Sequence, residues 1–422
     1  METERPIGFA GLSHLGIVSS IATASKGAQV LAFDPDEDRA AALRDGKLPL
    51  VETGLLELLA RSRAQIKFTS RGSELQQCKL VYLSNDVPTD QNNRSDLSAL
   101  ECVVEQVLPH LTPETILVVL SQVTPGFTRR LADRALCRKL HVYYQVETLI
   151  FGNAVERAIH PERFIVGCRE PRAALPTVYR ELLERFGCRI LPMNYESAEL
   201  CKIAINVFLV SSVSATNMLA EVCEAIHADW SEIAPALRLD RRIGPHAYLS
   251  PGMGISGGNL ERDLMTVRQL ADENGTDARL VDEWLALSRY RRDWALRIIH
   301  SRILPHCPDP VIAIWGLAYK PDTASTKNSP GLSLVEALQP FPLRMYDPVV
   351  RLPDEPRQCK TALEACQGAD VLVVMTPWRE FSGHEPKQLI AAMKGRWLLD
   401  PFRVFADKRD GLAGLSYFQL GA

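Results

Sequence analysis

Short apolar runs recur along the first half of the chain, each bounded by turn residues and followed by an amphipathic stretch: residues 7–10, 29–33, 80–83, 115–120, 142–146 and 163–167. Such runs alternating with helical periodicity predict buried strands joined by helices, hence a doubly wound parallel sheet. From about Ser197 to Ile303 the strand signals vanish, and apolar residues recur at helical spacing, as in Leu280, Trp284, Leu287, Trp294 and Ile298. After the punctuation between Pro305 and Pro310 the strand–helix pattern returns, with runs at 311–316, 344–346, 370–375 and 397–400. The expected fold is α/β: two Rossmann-like doubly wound domains, residues 1–195 and 305–422, joined by a helical central domain, residues 196–304.

With 422 residues, 46% of them hydrophobic, the chain can bury more than one core. A formal net charge of -3 with mixed signs gives no field for a nucleic-acid partner. Ten cysteines are scattered singly without a CxxC pair, which suits reduced thiols in a cytoplasmic protein and no metal site. The first residues, Met-Glu-Thr-Glu-Arg-Pro, lack the apolar core of a secretory signal. The stretch from Ile203 to Val222 could mimic a membrane span, but it carries Asn206, Ser211, Ser212, Ser214, Thr216, Asn217 and Glu221. A buried interface helix, with no membrane contact, is the expectation.

The first strand-to-helix turn reads Gly8-Phe-Ala-Gly11-Leu-Ser13-His14-Leu15-Gly16, an imperfect G-x-G-x-x-G with Ser13 in the middle. Glycine there lets backbone approach a pyrophosphate, and the helix that follows offers N–H groups and a positive dipole end. About twenty residues on, at the end of the second strand, Asp34 can accept hydrogen bonds from a ribose 2′-hydroxyl and repel the 2′-phosphate of NADP. Asp36, Glu37 and Asp38 reinforce that repulsion, so NAD is the expected cofactor. The segments Leu83-Ser-Asn-Asp-Val87-Pro88-Thr89 and Ser121-Gln122-Val-Thr-Pro125-Gly126 also follow strands, at the sheet edge where open α/β folds bind ligands. Later, Met345-Tyr346-Asp347-Pro348 echoes Ala32-Phe33-Asp34-Pro35.

Lys202 and Asn206 are four apart and share a helical face, so an ammonium and an amide can converge on one substrate oxygen. Glu147, at a strand end, is a candidate general base. A glycine-rich loop from Ser250 to Asp263 delivers Asn259, Arg262 and Asp263 to one place.

In their order along nearly the whole chain, these motifs resemble the UDP-glucose/GDP-mannose 6-dehydrogenase family. The 250–263 segment is similar to its catalytic Gly-Phe-Gly-Gly-Ser-Cys-Phe-Pro-Lys-Asp: Gly254, Gly257 and Asp263 keep their places, while Asn259 stands for the nucleophilic cysteine and Arg262 for lysine. Lys202-x-x-x-Asn206 matches the family's pair, and Val146-Glu147-Thr-Leu149 resembles its Pro-Glu-Phe-Leu. Gln122 replaces a threonine. Asp240-Arg-Arg242-Ile-Gly244 matches a segment whose arginine reaches a neighbouring subunit's nucleotide sugar, and Gly316-Leu-Ala-Tyr319-Lys320 one that contacts the nucleotide sugar from the third domain. The family's Asp-Asp-x-Arg-Glu-Ser-Pro has become Ala324-Ser325-Thr326-Lys327-Asn328-Ser329-Pro330.

The resemblance implies a cytoplasmic, homodimeric, NAD-dependent oxidoreductase with a nucleotide sugar such as UDP-glucose as substrate. It assigns cofactor contacts to Gly11, Ser13, His14, Leu15, Gly16, Asp34, Val87, Pro88, Thr89, Ser121, Gln122 and Lys327. Catalysis falls to Glu147, Lys202, Asn206, Asn259 and Asp263. Sugar-nucleotide contacts fall to Glu147, Lys202, Asn206, Arg242, Tyr248, Gly254, Gly257, Tyr319, Lys320 and Arg403.

The family oxidises an alcohol to an aldehyde, adds cysteine to it, oxidises the adduct to a thioester and hydrolyses that to a uronate. A planar aldehyde has no hydride to give until a nucleophile adds, and an amide is not one. The first oxidation needs only NAD, a base and an alkoxide stabiliser. Three readings follow: oxidation at C6, by two electrons or by four through a hydrate activated by Glu147 or Asp263; a redox-neutral epimerase that retains NADH; or a non-catalytic binding relative. Cys201, beside Lys202, is the first substitute nucleophile to consider.

Overall fold

A computed structural model describes residues 5–50, 52–90, 93–136 and 138–422, so Cys137 and the first four residues lie outside the described chain. Two compact units divide at Ile205/Asn206. In the first, β1 (Ile7–Ala10), β2 (Val30–Phe33), β3 (Ile66–Thr69), β4 (Leu80–Leu83), β5 (Ile116–Val119), β6 (His141–Gln145), β7 (Arg163–Cys168) and β8 (Arg189–Asn194) form one sheet in the order β3-β2-β1-β4-β5-β6-β7-β8. Alternate residues feed two cores. Ile7, Phe9, Val30, Ala32, Leu80 and Tyr82 face one, and Ala10, Leu31, Phe33, Val81 and Leu83 face the other, as a sheet covered on both sides requires.

The expected parallel sheet needs one correction: β6 and β7 pair antiparallel. Between them the chain forms only the short helix Ala154–Ile159 and turns back, without the full crossover a parallel pair needs. The strand order reverses between β1 and β4, and at such a switch point the loops part and leave a crevice.

The second unit begins inside the helix Tyr195–Ile226. This helix is apolar and long enough to cross a membrane by composition alone, with mean hydropathy 1.6 over its most apolar stretch. One side of it packs into the protein, burying Val210, Ser214, Thr216, Asn217 and Ala220, while Phe208, Met218, Leu219, Val222 and Ile226 stay exposed. Helices Trp230–Leu239, Asn259–Asn274, Arg279–Arg292 and Trp294–Ile298 follow. The helical spacing through 280–298 is real, but Leu280 is 60% exposed while Val281, Ser288 and Arg291 face inward.

Finally β9 (Ile312–Trp315), β10 (Leu343–Tyr346), β11 (Val371–Val374), β12 (Trp397–Leu399) and β13 (Ser416–Phe418) form a sheet in the order β10-β9-β11-β12-β13, every pair parallel.

Candidate dinucleotide crevice and active site

β1 runs into Gly11, whose φ of +94° suits glycine and whose missing Cβ would lie 2.1 Å from Asn85 Oδ1. A Cβ on Gly16 would meet the Gly11 carbonyl oxygen at 1.9 Å, so glycine here lets the helix His14–Ser25 pack onto the turn. Ser13 is the N-cap of that helix. Its hydroxyl accepts the Asp86 N–H at 2.7 Å and lies 3.3 Å from the Ser84 carbonyl, closing the crevice floor. Next to it, Asn85 Oδ1 is buried without a hydrogen-bond partner.

Asp34 is only 2% exposed. Its carboxylate accepts Leu12 N–H at 2.7 Å, Asp36 N–H at 3.0 Å and the Arg39 guanidinium at 3.0 Å. A carboxylate has about four acceptor directions, so one is left for a ribose hydroxyl. An orphaned acceptor, a left-handed glycine and a carboxylate with spare capacity suit a dinucleotide. When bound, NAD supplies a hydride acceptor.

His14 is held by Glu52 at 2.8 Å and lies tilted against the Phe151 ring, with centres 4.3 Å apart. Glu52 also accepts N–H groups of Gly152 and Ala154, fastening that loop beside the cofactor turn. Arg39 and Glu52 went unread in the sequence. Arg39, five residues beyond Asp34 on the helix that opens at Glu37, offered a faint signal; Glu52 offered none.

Val87 is buried and Pro88 exposed, and Thr89 bridges to Ser95. Buried Ser121 lies 3.3 Å from the Leu83 carbonyl, and Gln122 is half-buried. The loop after them is gripped by Glu199, which accepts N–H groups of Gly126 at 2.6 Å and Thr128 at 2.8 Å. Burial pushes the Glu199 carboxyl up, and the backbone donors oppose it.

In the same unit Lys202 and Glu147 form an ion pair at 2.8 Å, with side chains 13% and 15% exposed. Glu147 also accepts Leu149 N–H. A shielded ammonium–carboxylate pair can donate to an alkoxide and hold or move a proton.

The second unit holds the remaining candidates. The glycine-rich segment is a loop only as far as Gly258, the N-cap; Asn259 to Asp263 form the first turn of the helix Asn259–Asn274. Gly254 and Gly257 have φ of +78° and +77°, and a Cβ on Gly257 would press on the Tyr319 ring at 2.9 Å. Asp263 is buried and clamped: Asn206 Nδ2 donates to it at 2.5 Å and Arg262 Nε lies 3.3 Å away. Asn259 is exposed at the helix start. A thiol in that place would be acidified by the helix N-terminus; an amide gains nothing from it.

Glu261 and Arg292 also went unread. Buried Glu261 accepts from Asn328 Nδ2 at 2.6 Å and from Arg292 at 3.2 Å, while Asn328 also donates to the Gly257 carbonyl at 2.9 Å. Glu261 and Asn328, 67 residues apart in sequence, therefore touch. Lys320 lies 5.7 Å from the Tyr319 ring centre, and Lys327 is exposed. Arg242 reaches outward, 89% exposed, against its own Asp240. Half-exposed Tyr248 uses its carbonyl to accept from Thr216. Arg403 spans Asp229 and the Leu420 carbonyl.

Three models of the UDP-glucose/GDP-mannose dehydrogenase family match the chain in sequence order: the NAD binding domain over residues 5–186, the central domain over 196–289 and the UDP binding domain over 313–407. A putative UDP-glucose 6-dehydrogenase of Bacillus subtilis is 27% identical, covering 96% of this chain and 97% of its own. The UDP-glucose 6-dehydrogenase of Pseudomonas aeruginosa is 28% identical, covering 97% and 96%. The solved UDP-glucose dehydrogenase of Pyrobaculum islandicum superposes with a TM-score of 0.86 at 23% identity, over 99% of this chain and 97% of that one. That likeness establishes the fold.

Proposed function

Because the chain belongs to the UDP-glucose/GDP-mannose dehydrogenase family and carries its NAD binding, central and UDP binding parts, we propose that it oxidises the C6 hydroxyl of a UDP-glucose-like nucleotide sugar and stops after two electrons, at the aldehyde or its hydrate. The observation that carries this reading is Asn259: the residue opening the helix Asn259–Asn274 cannot add to an aldehyde, so the second oxidation lacks its covalent route. Lys202 stabilises the alkoxide, and Glu147, its partner at 2.8 Å, takes the hydroxyl proton. Asn206 and Arg262 hold Asp263 in place.

Segments 1–195, 196–304 and 305–422 serve as cofactor, dimerisation and nucleotide-sugar domains in this reading, and the setting is the cytoplasm. Exposed Phe208, Met218, Leu219, Val222 and Ile226 supply an apolar stripe for a homodimer. Sedimentation should then give a dimer at micromolar concentration, and Phe208→Glu should weaken it.

The decisive experiment counts NADH against UDP-glucose consumed. One NADH per sugar, with an aldehyde trapped by hydroxylamine, is expected. Two NADH and a uronate, through an enzyme-bound thioester, would overturn the reading and direct attention to Cys201. Asn259→Cys with Arg262→Lys should open a second oxidation in part.

A further inference from the structure

The first turn of the helix His14–Ser25 has N–H groups without intrahelical partners, the donors on which a dinucleotide's pyrophosphate rests. One is already taken. Leu15 N–H donates to Asp86 Oδ2 at 3.3 Å, and the Asp86 backbone N–H is tied to the N-cap hydroxyl of Ser13 at 2.7 Å. Ser84, two residues before Asp86, donates to the carbonyls of Gly11 and Ala10 at 3.0 and 3.2 Å, which fixes segment 84–86 over the turn. Ser13, at the middle position of the glycine motif, is what makes this tether; glycine has no hydroxyl to offer.

We propose that Asp86 is a resident anion in the pyrophosphate seat: its carboxylate caps the helix and must leave Leu15 when NAD binds, so that it sets NAD affinity. Two observations support this. The capping bond is long for a charge-assisted one, so it is readily broken. The Asp86 side chain is exposed, so the carboxylate can swing into water without desolvation cost. The inference rests on the NAD binding domain and stands whatever becomes of the sugar.

The test is calorimetric titration of the full-length chain and of Asp86→Asn and Asp86→Ala with NAD and with ADP-ribose, plus adenosine measured by its displacement of NAD. Removing one unit of like charge from beside the pyrophosphate should tighten NAD and ADP-ribose about tenfold in both variants. Adenosine, which has the ribose and no phosphate, should be unaffected. Asp86→Ala, having lost the cap, should also melt at lower temperature without NAD and show a larger rise when NAD is added. Unchanged or weaker NAD binding in both variants would overturn the proposal. So would a gain that extends equally to adenosine, since the effect would then not lie at the pyrophosphate.

Discussion

At the head of the first sheet β1 runs into Gly11, the next helix carries Gly16 and β2 is followed by Asp34; at the head of the second, β9 runs into Gly316, the next helix carries Gly331 and β10 is followed by Asp347. Both leading glycines are left-handed, at +94° and +100°. In each case a Cβ on the second glycine would strike the carbonyl oxygen of the first, at 1.9 and 2.4 Å. Each aspartate draws in the N–H of the residue after the glycine, Leu12 or Leu317, at 2.7 Å. The difference lies in what else the carboxylates hold. Asp34 takes three donors, one a guanidinium, and keeps a lone-pair direction open. Asp347 takes five, from Leu317, Ala318, Val349, Val350 and the Trp378 indole, and is full. One device thus leaves an open acceptor direction in one sheet and makes a full fastening for a loop in the other.

That comparison breaks most visibly at Asp347. Asp347→Ala strands five donors and should cost about 3–5 kcal/mol in urea unfolding, with NAD affinity unchanged. Loss of NAD binding with intact stability would erase the distinction. Asp34→Ala should do the reverse, weakening NAD on the order of tenfold to hundredfold and narrowing its margin over NADP, as read by titration at matched salt.

The glycines sharpen the likeness. Gly16→Ala and Gly331→Ala should each cost roughly 1–3 kcal/mol by overpacking, with Gly16 the worse because its clash is the closer. The smallest effect is expected at Asn328, where Asn328→Ala should cost about 1 kcal/mol in stability while lowering turnover by more than it changes the Michaelis constant.

Much of this was legible in the sequence because it is local. The runs at β1, β4 and β9, the turn at Gly11 and the Asp34/Asp347 echo are short-range patterns, and their strands appear at or within one residue of the expected places. Three strands were not legible. β3 reads Ile-Lys-Phe-Thr, as long as β1 but too polar to stand out; β8 contains Pro192, which its edge position tolerates; and β13 is three residues long with an exposed end. The site divides the same way. The helical face shared by Lys202 and Asn206 follows from spacing, but Leu15 with Asp86, His14 with Glu52, and Glu261 with Asn328 are partners 71, 38 and 67 residues apart. Such pairings arise when the chain folds back on itself, and no local pattern carries them.

The bonds of Asn328 to Glu261 and to the Gly257 carbonyl bear on how this region opens. With Tyr319 N–H bound to the Ser325 carbonyl and the Tyr319 ring over Gly257, the 319–328 loop and the turn before the helix Asn259–Asn274 cannot loosen separately. Their amides should exchange with deuterium together, as one cooperative unit with a common opening free energy, and a sequence change in either segment should be felt as faster exchange in the other.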